Sequence, residues 1–97
     1  MNSWTRSFPM TGRVCVVTGV TSGIGFATAR ELARAGATVA ALGRDPERTG
    51  AAVAKIIQAS GRPTVRGFLA DLFLQRDVRR VASEILEAFP QVHVLVN

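Results

Sequence analysis

Arg13-Val14-Cys15-Val16-Val17-Thr18, running directly into Gly19-Val20-Thr21-Ser22-Gly23-Ile24-Gly25, is the stretch that decides the fold. The first six residues are apolar almost throughout, as a central strand covered on both faces requires. A helix is predicted from Ser22 or Gly23 to about Ala35, with Ile24, Ala27, Thr28, Leu32 and Ala35 as an inward stripe of largely small residues. Between strand and helix lies a turn bearing Gly19, Gly23 and Gly25. Backbone amides at a helix N-terminus form an anion site, and glycine there removes the Cβ that would obstruct a tight turn or an approaching diphosphate. Gly19 and Gly23 suit those two tasks. Gly25 suits close packing of the helix against a neighbouring strand.

Outward from this stretch, short β-branched runs alternate with helical patterns, giving βαβαβαβ and an α/β fold with a parallel sheet. Gly36 fits the left-handed position that ends the first helix, and Thr38-Val39-Ala40-Ala41-Leu42 is the second strand. Asp45-Pro46-Glu47 combines an N-cap, a proline at the first helical position and an acid in the first turn. The helix it starts runs to about Ala59, buries Ala52, Val53, Ile56 and Ile57, and stops at Gly61 and Pro63. Thr64 to Leu69 forms the third strand. The third helix follows Asp71-Leu72, with Val78, Val81, Ala82, Ile85, Leu86 and Phe89 on one side and Arg76, Arg79, Arg80, Glu84 and Glu87 on the other. Arg80 and Glu84 are spaced to pair across one turn. Pro90 breaks that helix, and Val92 to Val96 is the fourth strand, followed by Asn97. In the doubly wound order the fourth strand lies beside the first, which gives 3-2-1-4 and leaves the outer edge of the fourth open. An open apolar edge of this kind predicts self-association.

With 97 residues, 47% hydrophobic and 20% charged, the composition is that of one globular domain and argues against a disordered tail or a two-domain enzyme. The net charge of +5 favours anionic ligands without choosing among them. Arg62, Arg66, Arg76, Arg79 and Arg80 are interleaved with acids and lack an aromatic stacking platform, so no nucleic-acid partner is expected. Cys15 is the single cysteine, which excludes an internal disulfide or a cysteine-rich zinc site and is compatible with the cytoplasm. Residues 1–11 are expected to be a flexible leader without signal-peptide character, and no apolar run has transmembrane length. His93 is the sole histidine and has no partner cluster, so it is expected at a solvent edge or packed, not as a ligand. The tyrosine count is zero, which excludes a phenol acid from this chain.

The glycine segment, with a strand before it, a helix after it and a polar second-strand end about 20 residues on, meets the context a dinucleotide site needs. It resembles the cofactor signature of classical short-chain dehydrogenases/reductases. Ala70-Asp71-Leu72 is similar to that family's adenine-contacting Asp-Leu after the third strand, and Val94-Leu95-Val96-Asn97 to the run into its Asn-Asn-Ala-Gly motif. The resemblance spans about Thr11 to Asn97. Gly25-Phe26-Ala27-Thr28-Ala29 and Gly43-Arg44-Asp45 are similar to the retinol-dehydrogenase-like subgroup. The resemblance implies a three-layer Rossmann-type half-domain over residues 12–97. It also implies hydride transfer between a nicotinamide and a carbonyl or alcohol substrate, and a homo-oligomer when the protein is complete.

The cofactor-binding residues so implied are Gly19, Thr21, Ser22, Gly23, Ile24 and Gly25, then Arg44, Asp71, Leu72 and Asn97; no catalytic or metal-binding residue is expected. Gly43 stands where NAD-preferring members of the family keep an aspartate, and Arg44 follows it. An acid there bonds the ribose hydroxyls and repels a 2′-phosphate, whereas a guanidinium fits a phosphate, so NADP is favoured over NAD. Thr21 and Ser22 are further hydroxyl donors for that phosphate. Asp45 is expected to cap the second helix. A methyltransferase-type site would want an acid in place of Arg44. The family's serine, tyrosine and lysine fall beyond Asn97 in family order, and Lys55 lies in the wrong element. The sequence is therefore expected to be truncated before its catalytic segment and inactive alone, and a non-catalytic nucleotide-binding fragment or sensor is the alternative.

Overall fold

The structure is a computed structural model that describes residues 10–97. Four strands, β1 (Val14–Val17), β2 (Thr38–Gly43), β3 (Val65–Leu69) and β4 (Val94–Val96), form one parallel sheet in the order β3-β2-β1-β4. Three helices, α1 (Gly23–Arg34), α2 (Pro46–Ser60) and α3 (Gln75–Ala88), connect them. The result is the three-layer, Rossmann-type arrangement that the strand–helix alternation predicts.

Alternation along the buried strands sorts the core into two layers. Cys15, Val17, Val39, Ala41 and Val65 face Ala29 and Ala33 of α1 and Ala52 and Ile56 of α2. Val16, Ala40, Leu42 and Phe68 face Val81 and Ile85 of α3. One sheet face thus carries two helices and the other carries one. Val16 pairs in register with Leu95, so both point to the α3 side, yet Leu95 remains 61% exposed. Val78 and Leu86 of α3 are also exposed, and with Leu72, Val92 and Leu95 they border an apolar groove of about 420 Å³. The six-residue apolar stripe predicted for α3 is therefore buried only along Val81 and Ile85.

Helix ends follow local chemistry. Ser22 caps α1, its Oγ accepting from the Gly25 amide at 3.1 Å, and Asp45 caps α2 by accepting from the Arg48 amide at 2.8 Å, with Pro46 first in the helix. Gly36 (φ +98°) closes α1, the Ala37 amide reaching back to the Leu32 carbonyl and the Gly36 amide to that of Ala33. Gly61 (φ +70°) ends α2 in the same left-handed region. Helix α3 begins at Gln75, three residues after Leu72, because the Asp71 carboxylate folds Leu72 and Phe73 into a turn by accepting from the Phe73 amide at 3.1 Å.

Three sequence expectations need correction. The buried line of α1 is Gly25, Ala29 and Ala33; of the predicted stripe Ala35 is buried and Leu32 packs against the core, while Ile24 is 84% exposed. Gly25 packs on the turn itself, against the Gly19 carbonyl, and not on a neighbouring strand. Strand β4 starts at Val94; His93 precedes it, its Nδ1 accepting from the Val14 amide at 3.0 Å and its own amide donating to the Val14 carbonyl. Of the expected leader, residues 1–9 lie outside the described residues. Met10 donates to the Ala35 carbonyl at 2.7 Å, and Thr11 packs against Gly36.

Candidate functional site

The turn between β1 and α1 is built from backbone. Gly19 adopts φ +63°, which lets the chain reverse, and the Val20 amide then donates to the Leu42 carbonyl at 3.1 Å. Val20 is fully buried, so the turn is nailed over the end of β2. The Ser22 hydroxyl donates to the Gly19 carbonyl at 2.7 Å while accepting from Gly25, which closes the turn onto the helix start. A Cβ at residue 25 would run into the Gly19 carbonyl, whereas one at Gly23 would meet nothing within 4 Å. Gly25 is thus a packing glycine, and Gly23 leaves an open approach to the backbone.

That approach is electropositive. The amides of Gly23 and Ile24 have no acceptor among the described residues, as expected at a helix start. Both other helices place an acid in the first turn, Glu47 in α2 and Asp77 in α3, where it answers the positive end of the helix dipole; α1 has none. The start of α1 is the one that leaves its field for an incoming anion.

Two clefts flank the turn and share Thr21. The first, about 320 Å³, is lined by Gly19, Thr21, Leu42, Gly43, Arg44, Ala70, Asp71, Leu72 and Phe73, at the C-terminal ends of β2 and β3. The Ala70 amide donates to the Gly43 carbonyl at 3.0 Å and holds its two walls together. The second, about 440 Å³, lies between the α1 start and α2 and is lined by Thr21, Ser22, Gly23, Phe26, Arg48, Ala51, Ala52 and Lys55. Open-sheet ligand sites form at the carboxyl ends of strands where the strand order reverses, and β1 is that point here.

Of the residues singled out from sequence, Gly19, Thr21, Arg44, Asp71 and Leu72 come together in the first cleft. Ser22 and Gly23 line the second. Ile24 lines neither. Asn97 sits beyond β4 next to Thr18, whose hydroxyl donates to the Val96 carbonyl at 3.3 Å, and it borders the apolar groove. Arg48, Lys55 and Phe73 belong to the clefts and were not anticipated. Arg48 and Lys55 stand two turns apart on one side of α2, a spacing present in the sequence, and Phe73 is a 93% exposed aromatic beside Leu72. Ionisation elsewhere is structural: burial pushes the Cys15 thiol up, and the Glu84 carboxylate raises Arg80 further, the pair lying 2.7 Å apart.

A parallel sheet in this order, with a glycine turn opening a helix at the reversal point, defines a Rossmann-type α/β protein. A sequence profile described as short chain dehydrogenase matches residues 13–97. The chain belongs to the short-chain dehydrogenase family. It is 42% identical over 86 residues to human dehydrogenase/reductase SDR family member 13, covering 89% of this chain and 23% of that one. It is 38% identical over 89 residues to mouse polyprenol dehydrogenase, covering 92% and 27%. Among solved structures, a metagenomic short-chain oxidoreductase in complex with NADP superposes with a TM-score of 0.79 at 35% identity, covering 88% of this chain and 38% of that one. The chain thus spans roughly a quarter of the length of those curated relatives. No helix among the described residues is long and apolar enough to cross a membrane.

Proposed function

We propose that these residues form the cofactor-binding half of an NADP-dependent short-chain dehydrogenase/reductase. The observation that carries the reading is the open, acid-free start of α1, with Arg44 on one side of it and Arg48 and Lys55 on the other. The uncovered Cα face of Gly23 and the free amides beside it fit a diphosphate. Gly19, Thr21, Ser22, Gly23 and Ile24 would hold that bridge, with Gly25 packed beneath the turn that shapes it, Arg44 would hold the 2′-phosphate, and Asp71 and Leu72 the adenine, with Asn97 at the nicotinamide side. When bound, the dinucleotide supplies a hydride that passes between its nicotinamide and a carbonyl or alcohol carbon.

The chain's own part is to bind and orient. Thr21 and Arg44 supply donors at the mouth of the first cleft, while the Ser22 hydroxyl is committed to Gly19 and acts on the anion through the turn it closes. Leu72 and Phe73 offer an apolar edge on which a flat base can rest. With no tyrosine in the sequence, these 97 residues hold no phenol proton donor and are expected to bind the cofactor without turning it over. The buried free thiol of Cys15 is compatible with a cytoplasmic setting.

The test is calorimetric titration with NADPH and NADH. NADPH is expected to bind more tightly, and Arg44→Asp to reduce its affinity by about 10-fold or more, the loss of a charge-assisted contact. Equal binding of both cofactors, unchanged by that substitution, refutes the assignment.

A further inference from the structure

Thr49 is 2% exposed in the first turns of α2, and its hydroxyl has no hydrogen-bond partner. A buried hydroxyl without a partner is costly, so Thr49 is not retained there for a bond of its own. What its side chain does is fill space over Gly43. A Cβ built on residue 43 would collide with Thr49 Oγ1 and stand only 3.1 Å from its Cβ and 3.2 Å from its Cγ2. Rotation about χ1 can turn the hydroxyl aside but leaves the Thr49 Cβ, at 3.1 Å, where it is. A Cβ built on Gly67, which pairs with Ala41 two residues back along β2, would meet Val53 Cγ2 at 3.2 Å and Thr49 Cγ2 at 3.6 Å, so α2 lies close over β3 as well.

We infer that Thr49 is a positioning residue for cofactor choice: its buried side chain denies position 43 any side chain, so the end of β2 can offer the Arg44 guanidinium but no carboxylate. A carboxylate at 43 is what would engage ribose hydroxyls and repel a 2′-phosphate. The inference rests on the NADP reading above and adds its physical cause, since the strand end is kept neutral by packing from the buried side of α2 and not by the cleft residues alone. Replacing Gly43 by aspartate without touching Thr49 damages the fold before it changes specificity. With Thr49→Ala the two Cβ atoms still lie at the tight distance, and α2 has to give by only a few tenths of an ångström.

The test is a double-mutant cycle read by thermal midpoint and by the ratio of NADPH to NADH affinity. Gly43→Ala is expected to lower Tm by roughly 5–20 °C, as an overpacked small domain does, and Thr49→Ala to recover more than half of that loss. Gly43→Asp with Thr49→Ala is expected to fold and to move the affinity ratio toward NADH by about 10-fold or more relative to Thr49→Ala alone. Thr49→Ala alone leaves the ratio unchanged. A Gly43→Ala midpoint within about 2 °C of the parent overturns the inference. So does a Gly43→Asp protein that folds and takes NADH with Thr49 in place, or a double variant that folds with no shift in ratio. Failure of the NADP reading looks different: the parent then shows no NADPH preference, while the stability coupling between positions 43 and 49 persists.

Discussion

The Gly19 carbonyl occupies the place where a Cβ on Gly25 would stand, with the Gly19 carbonyl carbon 2.7 Å away and Ser22 Oγ at 3.1 Å. Both obstructing groups belong to the turn, so a side chain at 25 cannot be accommodated by moving a flexible tip. Gly25→Ala is expected to cost about 1–3 kcal/mol of stability, measured by urea unfolding. A midpoint equal to that of the parent would mean that the turn is softer than its bonding suggests.

Gly23 gives the opposite expectation. Its substitution by alanine enters open space at the first position of a helix, so stability should stay level or rise by up to about 1 kcal/mol. Affinity for NADPH should nevertheless fall by about 10-fold or more, because the methyl group obstructs the backbone a phosphate would approach. Titration and thermal unfolding on one sample separate the two effects.

Leu95, 61% exposed on the open edge strand β4, predicts concentration-dependent association of this polypeptide. Sedimentation velocity should show species larger than a monomer at micromolar concentration. Leu95→Lys, which puts a charge on that edge, should shift the distribution toward monomer.

Cys15 predicts an alkaline limb in stability. Burial raises its thiol in the folded protein, so below the unfolded chain's thiol range both states stay protonated and stability is intact. As pH rises through that range the unfolded chain ionises first, and stability falls by at most about 1.4 kcal/mol per pH unit until the folded thiol also titrates. Urea unfolding at several pH values from about 8 to 10 should give a shallower decline for Cys15→Ala than for the parent.

The strands were legible because Val14 to Val17 and Val39 to Leu42 are short, continuous apolar runs flanked by glycines, the pattern of strands in a doubly covered sheet. Asp45-Pro46 and Gly61 marked the ends of α2 for reasons of local chemistry that the structure repeats. The facing of α1 was harder to read. Its more apolar row, Ile24, Thr28 and Leu32, is the one periodicity turns inward, and it is the steric demand of Gly19 on Gly25 that brings the smaller row of Gly25, Ala29 and Ala33 against the sheet instead. Thr49 escaped notice because a threonine in an exposed-looking helix start is buried where the strand beneath it, at Gly43, carries no side chain. The incomplete burial of α3 was equally hidden, since periodicity reports which side of a helix is apolar and not what stands opposite.

Met10 and Thr11 clasp the bend that follows α1, through the Ala35 carbonyl and against Gly36, where a Cβ would come within 2.8 Å of Thr11 Oγ1. Protein engineers attaching an affinity handle or a fluorescent fusion should therefore join it ahead of Met10. Splicing at Gly12 would remove the clasp and let water into the end of the core that Met10 covers.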